Sequence, residues 1–326
     1  MIDVTVGTFN LKNLFSQYNF KAKISEIRES DGGSLDGDLK YEFGSADTYR
    51  IRTYQGSLVN EKDKADTEKV AERIRRMNVD VLSIQEVEDL DTLHQFNREY
   101  LDQLDYKYCV LVEGNDPRLI DLGVLSRFPI GGVTSWKHAV HPNDSTTTVF
   151  GRDLLEVEIL DSSRKKTLFK IFNNHLKSHY IGPNTEDAAE KVKNDQRRTR
   201  QAEMIAKIVS ARTLPTSSFI ILGDMNDSPS SPCLQPFVAS SQLKLSNALQ
   251  NPQETRPAKA DNPPPSSTAW THRYKPSGEP AKYELYDQIW LSSAIAAKQT
   301  AAWIDRRKTH KGEGSDHDPA WIKLTL

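Results

Sequence analysis

The spacing of apolar and polar residues predicts many strands and few helices. Residues 2–9, IDVTVGTF, alternate apolar and polar side chains and include several β-branched residues. This alternation is typical of a half-buried strand, which here runs into Asn10. Further strands are predicted at residues 79–84, 106–113, 122–126, 153–160, 167–175, 217–224, 268–273, 286–292 and 319–326.

Helical spacing of apolar residues occurs in two longer segments. Residues 66–78 and 196–212 each carry apolar side chains three and four positions apart, which predicts an amphipathic helix in each. A third helix start is predicted in NDSPSSPCL, with Asp227 or Ser228 as N-cap and Pro229 at the first helical position.

Two segments lack a regular pattern. Residues 16–66 are rich in Gly, Asp, Ser and Lys and are predicted to form a surface insertion, and residues 250–267 are predicted to form a proline-rich loop. Neither interrupts the composition enough to mark a linker. We therefore expect residues 1–326 to form a single α/β domain with two packed sheets and helices outside them.

Composition restricts the classes of partner. The 43 basic residues nearly balance the 45 acidic ones, leaving a formal charge of -2, so binding of an anion requires a local basic patch. The two cysteines, Cys109 and Cys233, cannot form a disulfide framework or a zinc cluster. The sequence contains neither an apolar run long enough to span a membrane nor the apolar region of a signal peptide. We expect a soluble, cytoplasmic protein without stable membrane association; a secreted form is compatible with a processed or cloned N-terminus.

Polar residues suited to metal binding and proton transfer follow the predicted strands. Strand ends hold side chains rigidly and direct them toward one edge of a sheet, where sites are often built. Six segments would meet there, and they supply Asn10, Glu86, His175, Asp224, Asn226, Asp287, Asp316 and His317.

This set of residues indicates a particular chemistry. Carboxylate and carboxamide oxygens without cysteine suit Mg²⁺, Mn²⁺ or Ca²⁺ better than Zn²⁺. A histidine paired with an aspartate can activate water at neutral pH, and a second histidine can stabilise charge on phosphoryl oxygens. The residues therefore favour metal-assisted hydrolysis of a phosphoester.

Six motifs, in order, carry a family resemblance: TFNLKNLF, IQEVE, NNHLKS, ILGDMNDSP, YDQIWLS and GSDHDPAW. They resemble the successive signatures of the endonuclease/exonuclease/phosphatase superfamily, and they look closest to bacterial DNase I-like nucleases. The resemblance extends from Asn10 to His317. It implies a DNase I-like four-layer α/β sandwich of two mostly antiparallel sheets, a divalent metal, and in-line attack of water on phosphorus.

The resemblance also implies a metal site. It makes Glu86 the principal ligand, places Asn10 beside it on metal or phosphate, and lets Asp316 complete the shell. Abasic-site endonucleases of this superfamily carry an aspartate where this chain has Lys12. That departure argues against an abasic-site enzyme and leaves the number of metal ions open.

The remaining roles concern the proton and the phosphate. By resemblance His317 is the general base on the attacking water, oriented by Asp287, and an alternative view gives Asp224 part of that task. Four residues would contact the scissile phosphate: Asn10, His175, Lys177 and Asn226.

Two basic clusters could extend a phosphate-binding surface. Residues 191–200 are more readily explained as a solvated face than as a nucleic-acid contact. The cluster at 305–311 precedes Asp316 and His317, so we expect some of its cations to flank the cleft. The members considered are Arg306, Arg307, Lys308 and Lys311.

Three functions are compared. The leading hypothesis is a metal-dependent phosphodiesterase that acts on nucleic acid, most simply DNA, as a DNase I-like endonuclease. The alternative is a phospholipid or small-molecule phosphoesterase, sphingomyelinase- or inositol-phosphatase-like, with the same machinery. A non-catalytic binding module would have lost some of the site residues, and none is missing. No protein partner is implied.

Overall fold

The computed structural model describes residues 2–15, 62–180, 187–256, 265–309 and 312–326. Most of the predicted insertion at 16–66, part of the proline-rich loop at 250–267, and Lys311 lie outside the described residues. Among the residues that are described, no helix has the length and apolar character needed to cross a bilayer.

Five α-helices and seventeen strands occur in the described ranges. The helices are α1 (Lys64–Met77), α2 (Leu90–Tyr100), α3 (Asp187–Arg212), α4 (Gln235–Val238) and α5 (Ser293–Ala296). The strands are β1 (Asp3–Leu14), β2 (Val81–Val87), β3 (Tyr108–Val112), β4 (Asp121–Ser126), β5 (Ile130–Ser135), β6 (Val140–His141), β7 (Asp144–Thr148), β8 (Leu154–Leu160), β9 (Thr167–His175), β10 (Phe219–Asp224), β11 (Ser246–Asn247), β12 (Gln253–Glu254), β13 (His272–Tyr274), β14 (Lys282–Glu284), β15 (Asp287–Leu291), β16 (Gln299–Ile304) and β17 (Ala320–Thr325).

Two large sheets form the centre of the molecule. The first has seven strands in the order β12-β16-β17-β1-β2-β4-β3, and the second has six in the order β11-β15-β10-β9-β8-β5. Within them, β1 with β2, β9 with β10, and β12 with β16 pair in parallel, whereas the remaining pairs are antiparallel. Because β1 lies between β17 and β2, the two ends of the chain meet in one sheet.

The inner faces of the two sheets share one apolar core. Val6 and Val124 of the first sheet belong to the same cluster of buried residues as Ile171 and Leu222 of the second. Burying one face of each sheet removes a large apolar area from water, which stabilises the pair of sheets.

The helices cover the outer faces. Ile74 of α1 and Phe96 of α2 pack with Leu82 of the first sheet, and Ile205 of α3 packs with Phe172 of the second. The layers therefore run helix, sheet, sheet, helix, which confirms the predicted four-layer α/β sandwich.

Helix boundaries differ from the predicted ones. Helix α1 begins after Asp63, whose side chain accepts a hydrogen bond from the backbone N–H of Ala65. Helix α2 has no counterpart in the sequence prediction, and α3 begins at residue 187, well before 196. The long polar start of α3 carries few apolar residues, so periodicity alone did not reveal it.

The helix predicted to begin at Asp227, Ser228 or Pro229 is wrong. Those residues form a turn, and α4 begins only at Gln235. The Asp227 carboxylate is instead held by Arg198, with Nε to Oδ2 at 3.0 Å. The prediction for residues 268–273 is also largely wrong, because only β13 is a strand there.

Candidate active site

Bulges at the ends of β1 and β2 direct the side chains of Asn10 and Glu86 into one cleft. Glu86 has a left-handed backbone conformation (φ 64°) at a register shift between β2 and β4. Asn13 is also left-handed (φ 56°), and its N–H donates to Glu86 Oε2 at 3.0 Å. Non-glycine residues adopt this conformation at some cost in free energy, and such positions cluster at functional sites.

Asn10 bridges two carboxylates. Its Nδ2 donates to Asp224 Oδ2 at 2.9 Å and to Glu86 Oε1 at 3.3 Å. Its Oδ1 accepts from the N–H of Lys12 at 2.9 Å, which fixes the amide orientation. In this orientation Asn10 presents its donors to the cleft, and its oxygen, bound to the Lys12 N–H, would not be available as a ligand to a cation held by the two carboxylates.

Strand register aligns three catalytic candidates. Asp224, at the end of β10, is the partner of His175 on β9 and of Asp287 on β15. Gly223 has a φ of 126°, and a Cβ there would lie 2.0 Å from the carbonyl oxygen of Asn174. Only glycine allows this close approach of β10 to β9, which explains why a glycine precedes Asp224 in the motif ILGDMNDSP.

His317 and Asp287 form a buried pair. His317 Nδ1 lies 2.8 Å from Asp287 Oδ2, and its Nε2 lies 3.8 Å from Asp224 Oδ2. Burial opposes protonation, but the charges of Asp287 and Asp224 outweigh it and raise the pKa of His317 to about 10. The hydrogen bond to Asp287 orients the ring and leaves Nε2 free to exchange a proton with a bound group.

His175 faces the same carboxylates from the neighbouring strand. Its Nε2 lies 3.4 Å from Asp224 Oδ2 and 3.8 Å from Glu86 Oε1. Burial, together with the charge of Arg152, lowers the pKa of His175 well below its usual range, so the ring is neutral. Burial also raises the pKa of Asp224 to about 6, against the opposing charge of His317.

Asn226 and Lys177 border this group. The Asn226 N–H donates to Asp224 Oδ1 at 2.8 Å, and its Nδ2 donates to the carbonyl of Leu176 at 3.1 Å. Lys177 is partly buried, and burial followed by the charges of Arg152 and other arginines lowers its pKa. Asn226 therefore contacts the cluster directly, whereas Lys177 follows His175 by two residues along the chain.

Asp316 stands apart from the hydrogen-bonded cluster. Its side chain is 46% exposed, and its Oδ2 lies 3.6 Å from Lys12 Nζ. The Lys12 carbonyl in turn accepts from Lys62 Nζ at 2.7 Å. Lys12, at the position where the abasic-site enzymes carry an aspartate, thus offsets the negative charge of Asp316.

The donor set fits a divalent cation. Asp224, Asp287 and His317 offer ligand atoms that all lie within 4.8 Å of one another. Because Asp287 Oδ2 and His317 Nδ1 bind each other, we give more weight to Glu86 and Asp224, whose carboxylates share the Asn10 amide. Asp287 Oδ1 is buried without a hydrogen bond among the described residues. Oxygen donors in excess of nearby positive charge are the ligands that Mg²⁺, Mn²⁺ and Ca²⁺ prefer.

Sequence reasoning missed two residues next to His317. The His272 ring lies 5.3 Å from that of His317 and stacks on Tyr286 at 4.9 Å. His272 belongs to none of the six motifs, so the sequence does not distinguish it from a surface or structural histidine. An isolated bridge between His272 and His317 brings it into the site, and local sequence carries no signal for such a contact.

Two arginines near the cleft were also not assigned. Arg152 is buried, with Nε 2.8 Å from Asp116 Oδ2 and Nη1 donating to the Leu176 carbonyl at 2.9 Å. Arg118 binds the same Asp116 and is 57% exposed. The two guanidinium groups therefore place positive charge next to the segment that carries His175.

Of the four cations considered near the cleft, Arg306 and Arg307 are not exposed to it. Both are buried; Arg306 pairs with Glu254 at 2.6 Å and Arg307 with Asp318 at 2.9 Å. These arginines are neutralised inside the protein because Glu254, distant in sequence, packs against Arg306 and Asp318, in the last motif, packs against Arg307. They hold the last loop in place and are not available to a substrate phosphate.

Comparisons with known structures agree with this architecture. The endonuclease/exonuclease/phosphatase from Bacteroides vulgatus is 13% identical, with a TM-score of 0.58 and complete coverage of both chains. The mannosyl-6-phosphatase of Bacteroides thetaiotaomicron is 14% identical, with a TM-score of 0.54, over 99% of this chain and 100% of that one. The human Nocturnin catalytic domain is 16% identical, with a TM-score of 0.52, over 81% and 88% of the two chains. At these identities the similarity establishes the fold.

Family membership is established by the sequence. No curated protein matches the chain. The model of the Endonuclease/Exonuclease/phosphatase family, however, matches residues 48–317, which is most of the chain and includes four whole motifs and the last one as far as His317. The chain therefore belongs to the Endonuclease/Exonuclease/phosphatase family and is a phosphoesterase of that superfamily.

Proposed function

We propose that this protein is a divalent-metal-dependent phosphodiesterase that hydrolyses nucleic acid as a DNase I-like endonuclease. The observation that carries the proposal is the buried His317–Asp287 pair, 2.8 Å apart, directed at the carboxylate of Asp224. A phosphodiester in this cleft would meet a proton acceptor, hydrogen-bond donors and a cation site together.

The cation is proposed to bind Glu86 and Asp224, with Asp316 completing its shell from the exposed side. When bound, a divalent cation supplies positive charge to the phosphoryl oxygens and offsets the carboxylate charge that keeps His317 protonated. Asn10 holds the carboxylates of Glu86 and Asp224 at a fixed separation through its amide group. Its contribution to cation binding is positioning, since its own oxygen is occupied by the N–H of Lys12.

His317 Nε2 is proposed to take the proton of the attacking water. The water oxygen forms a bond to phosphorus while the bond from phosphorus to the leaving oxygen breaks on the opposite side. Asp287 keeps the ring in the required orientation and stabilises the imidazolium that results. Asp224, whose pKa is raised to about 6 by burial, is the alternative acceptor.

Three groups are proposed to stabilise the charge that develops on phosphorus. His175 is neutral and buried, so it can donate a hydrogen bond without repelling a cation. Asn226 and Lys177 lie at the same edge and add an amide donor and a positive charge. Asn10 Nδ2, which donates to Glu86 and Asp224 in the cleft, is the fourth candidate.

Exposed positive charge around the cleft supports a polyanionic substrate. Lys12 is 50% exposed and lies 3.6 Å from Asp316, and Arg118 is 57% exposed and close enough to Glu86 for the two charges to interact. Phosphate contacts of this kind position nucleic acid without reading its sequence.

A small phosphoester is the second candidate. It is favoured by the burial of Arg306 and Arg307, which removes two cations from the expected phosphate-binding surface. The Bacteroides mannosyl-6-phosphatase shows that a protein with this fold can carry such an activity.

The deciding experiment is a substrate panel. The protein is incubated with supercoiled plasmid, linear DNA, RNA, bis-p-nitrophenyl phosphate, p-nitrophenyl phosphate and sphingomyelin, in Mg²⁺, Mn²⁺, Ca²⁺ or EDTA. We expect nicking of the plasmid with a divalent cation and none in EDTA. Cleavage of only the lipid or the monoester would exclude the nuclease.

A further inference from the structure

A basic groove adjoins the candidate active site on the outer side of the second sheet. It has a volume of about 410 Å³ and lies between α3 and the β6–β7 hairpin. We call it the α3 groove; its walls include Lys193, Gln196, Arg197 and Arg200 of α3, with Asp144 and Thr148 opposite.

Positive charge in the α3 groove exceeds negative charge. Arg200 pairs with Asp144 at 3.1 Å, and Lys193 lies 3.7 Å from Glu190 with 73% of its own side chain exposed. Arg197 is exposed and forms no ion pair within the described part of the chain. By contrast Arg198, the next residue, is buried and pairs with Asp227, so the two arginines have different roles.

The three cations of the groove share one face of α3. Lys193, Arg197 and Arg200 are separated by four and three positions, the spacing that brings side chains to one side of a helix. With a rise of about 1.5 Å per residue they span about 10 Å. Successive phosphates of one strand in duplex DNA advance by about 3.4 Å along the axis, so this length corresponds to about three phosphates.

The groove is continuous with the phosphate side of the cleft. The Arg197 guanidinium lies against Gly151, 3.3 Å from the position that a Cβ would take there. The next residue, Arg152, donates to the Leu176 carbonyl, directly after His175. Lys177 is close enough to Arg197 for the two charges to interact. A line of positive charge therefore leads from His175 to Arg197.

We propose that the α3 groove binds the phosphodiester backbone of a nucleic-acid strand that extends from the catalytic cleft. The inference rests on the proposed nuclease function and adds where the flanking part of the substrate lies. Lys193 and Arg197 contact backbone phosphates, and Arg200 contributes less because Asp144 shares its charge. A substrate too short to leave the cleft does not use the groove.

The test separates long substrates from short ones. The double variant Lys193→Ala/Arg197→Ala and the wild type are compared for binding of fluorescein-labelled DNA of about 20 nucleotides, single-stranded and duplex. Fluorescence anisotropy is measured in EDTA, without turnover, between about 50 and 200 mM salt. Hydrolysis of bis-p-nitrophenyl phosphate with Mg²⁺ or Mn²⁺ reports on the cleft alone.

We expect the Kd of the double variant for DNA to rise about tenfold, and the slope of log Kd against log salt to fall by about 1.5 to 2. Its kcat/KM for bis-p-nitrophenyl phosphate stays at the wild-type value. The control is Lys207→Ala, which removes an exposed cation of the same helix about 15 Å beyond Arg197 and should leave the Kd unchanged.

Three results would overturn the inference in distinguishable ways. If wild type binds and cleaves DNA and the double variant matches it, the groove is not a binding site but the proposed function stands. If Lys207→Ala weakened DNA binding as much as the double variant does, the Kd would depend on the overall charge of the protein and not on the α3 groove. If wild type neither binds nor cleaves nucleic acid but hydrolyses small phosphodiesters, the proposed function fails together with the inference.

Discussion

His317 Nδ1 lies 2.8 Å from Asp287 Oδ2, and both side chains are buried at the edge where β10 ends and β15 begins. The contact joins the last motif of the chain to the strand beside Asp224. A buried aspartate on Nδ1 selects the tautomer and the ring orientation that leave Nε2 facing the cleft. The pair therefore defines which nitrogen handles the proton.

Replacing Asp287 by asparagine tests that role. The Asp287→Asn variant keeps the size of the side chain but removes the charge that stabilises the imidazolium. We expect kcat on plasmid DNA or bis-p-nitrophenyl phosphate to fall about 10² to 10⁴-fold with little change in KM. Steady-state kinetics measure this, and thermal unfolding checks that the fold is intact. A kcat within threefold of wild type would remove Asp287 from the mechanism.

The Asn10 amide group separates Glu86 from Asp224, so Asn10→Asp should place three carboxylates in contact. We expect the free energy of unfolding in EDTA to fall by about 3 kcal/mol, because a buried charge loses its donors and gains like charges. Chemical denaturation provides the measurement. The control Asn251→Asp introduces the same charge at an exposed position and should change stability little. Equal stability of Asn10→Asp and wild type would contradict the bridging role.

Arg73 fixes the loop that carries His317. It is fully buried, pairs with Asp305 and Asp318, and donates from Nη1 to the His317 carbonyl at 3.0 Å. We expect Arg73→Met to lower the free energy of unfolding by about 3 to 5 kcal/mol, since two buried carboxylates lose a partner. Arg76→Met is the matched control; Arg76 also binds Asp305 but is 34% exposed, so a loss of about 1 kcal/mol is expected. Similar losses of unfolding free energy in Arg73→Met and Arg76→Met would contradict a special role for the buried Arg73.

Asp121 should make stability depend on pH. Burial raises its pKa to about 8, with further contributions from Glu113, Asp116 and Asp153. The folded state then keeps a proton that the unfolded state loses near pH 3.8. The free energy of unfolding should therefore fall as pH rises between these values, by at most about 1.4 kcal/mol per pH unit, and level off above pH 8.

The isosteric variant Asp121→Asn lacks this proton equilibrium. The difference in unfolding free energy between wild type and variant should shrink, or turn to favour the variant, as pH rises from about 5 to 8. Urea denaturation at several pH values measures it. A difference that stays constant with pH would show that Asp121 titrates normally.

Strand patterns and motifs predicted the fold class and which segments carry polar residues to one edge. They succeeded because a strand end fixes both the position and the direction of a side chain, as for His175, Asp224 and Asp287. They could not predict that Asn10 presents its nitrogen to the cleft, because that orientation depends on the Lys12 N–H and on two carboxylates distant in sequence.

The wrong predictions share a physical cause. Asp227 followed by Ser-Pro is a good helix start in isolation, but Arg198 on a distant helix holds its carboxylate. Arg306 and Arg307 belong to a basic run, yet Glu254 and Asp318 neutralise them inside the protein. Local sequence carries no information on such long-range ion pairs, and tertiary contacts override local preference.

The most direct test of the central claim is the rate of plasmid nicking by wild type and His317→Asn, each with Mg²⁺ and with EDTA. Asparagine keeps a hydrogen-bonding side chain but cannot take a proton from water. We predict nicking by wild type with Mg²⁺, a rate at least about 100-fold lower for His317→Asn, and none by either protein in EDTA. Wild-type nicking that persists in EDTA, or a His317→Asn rate equal to wild type, would contradict a metal-dependent phosphodiesterase built on the His317–Asp287 pair.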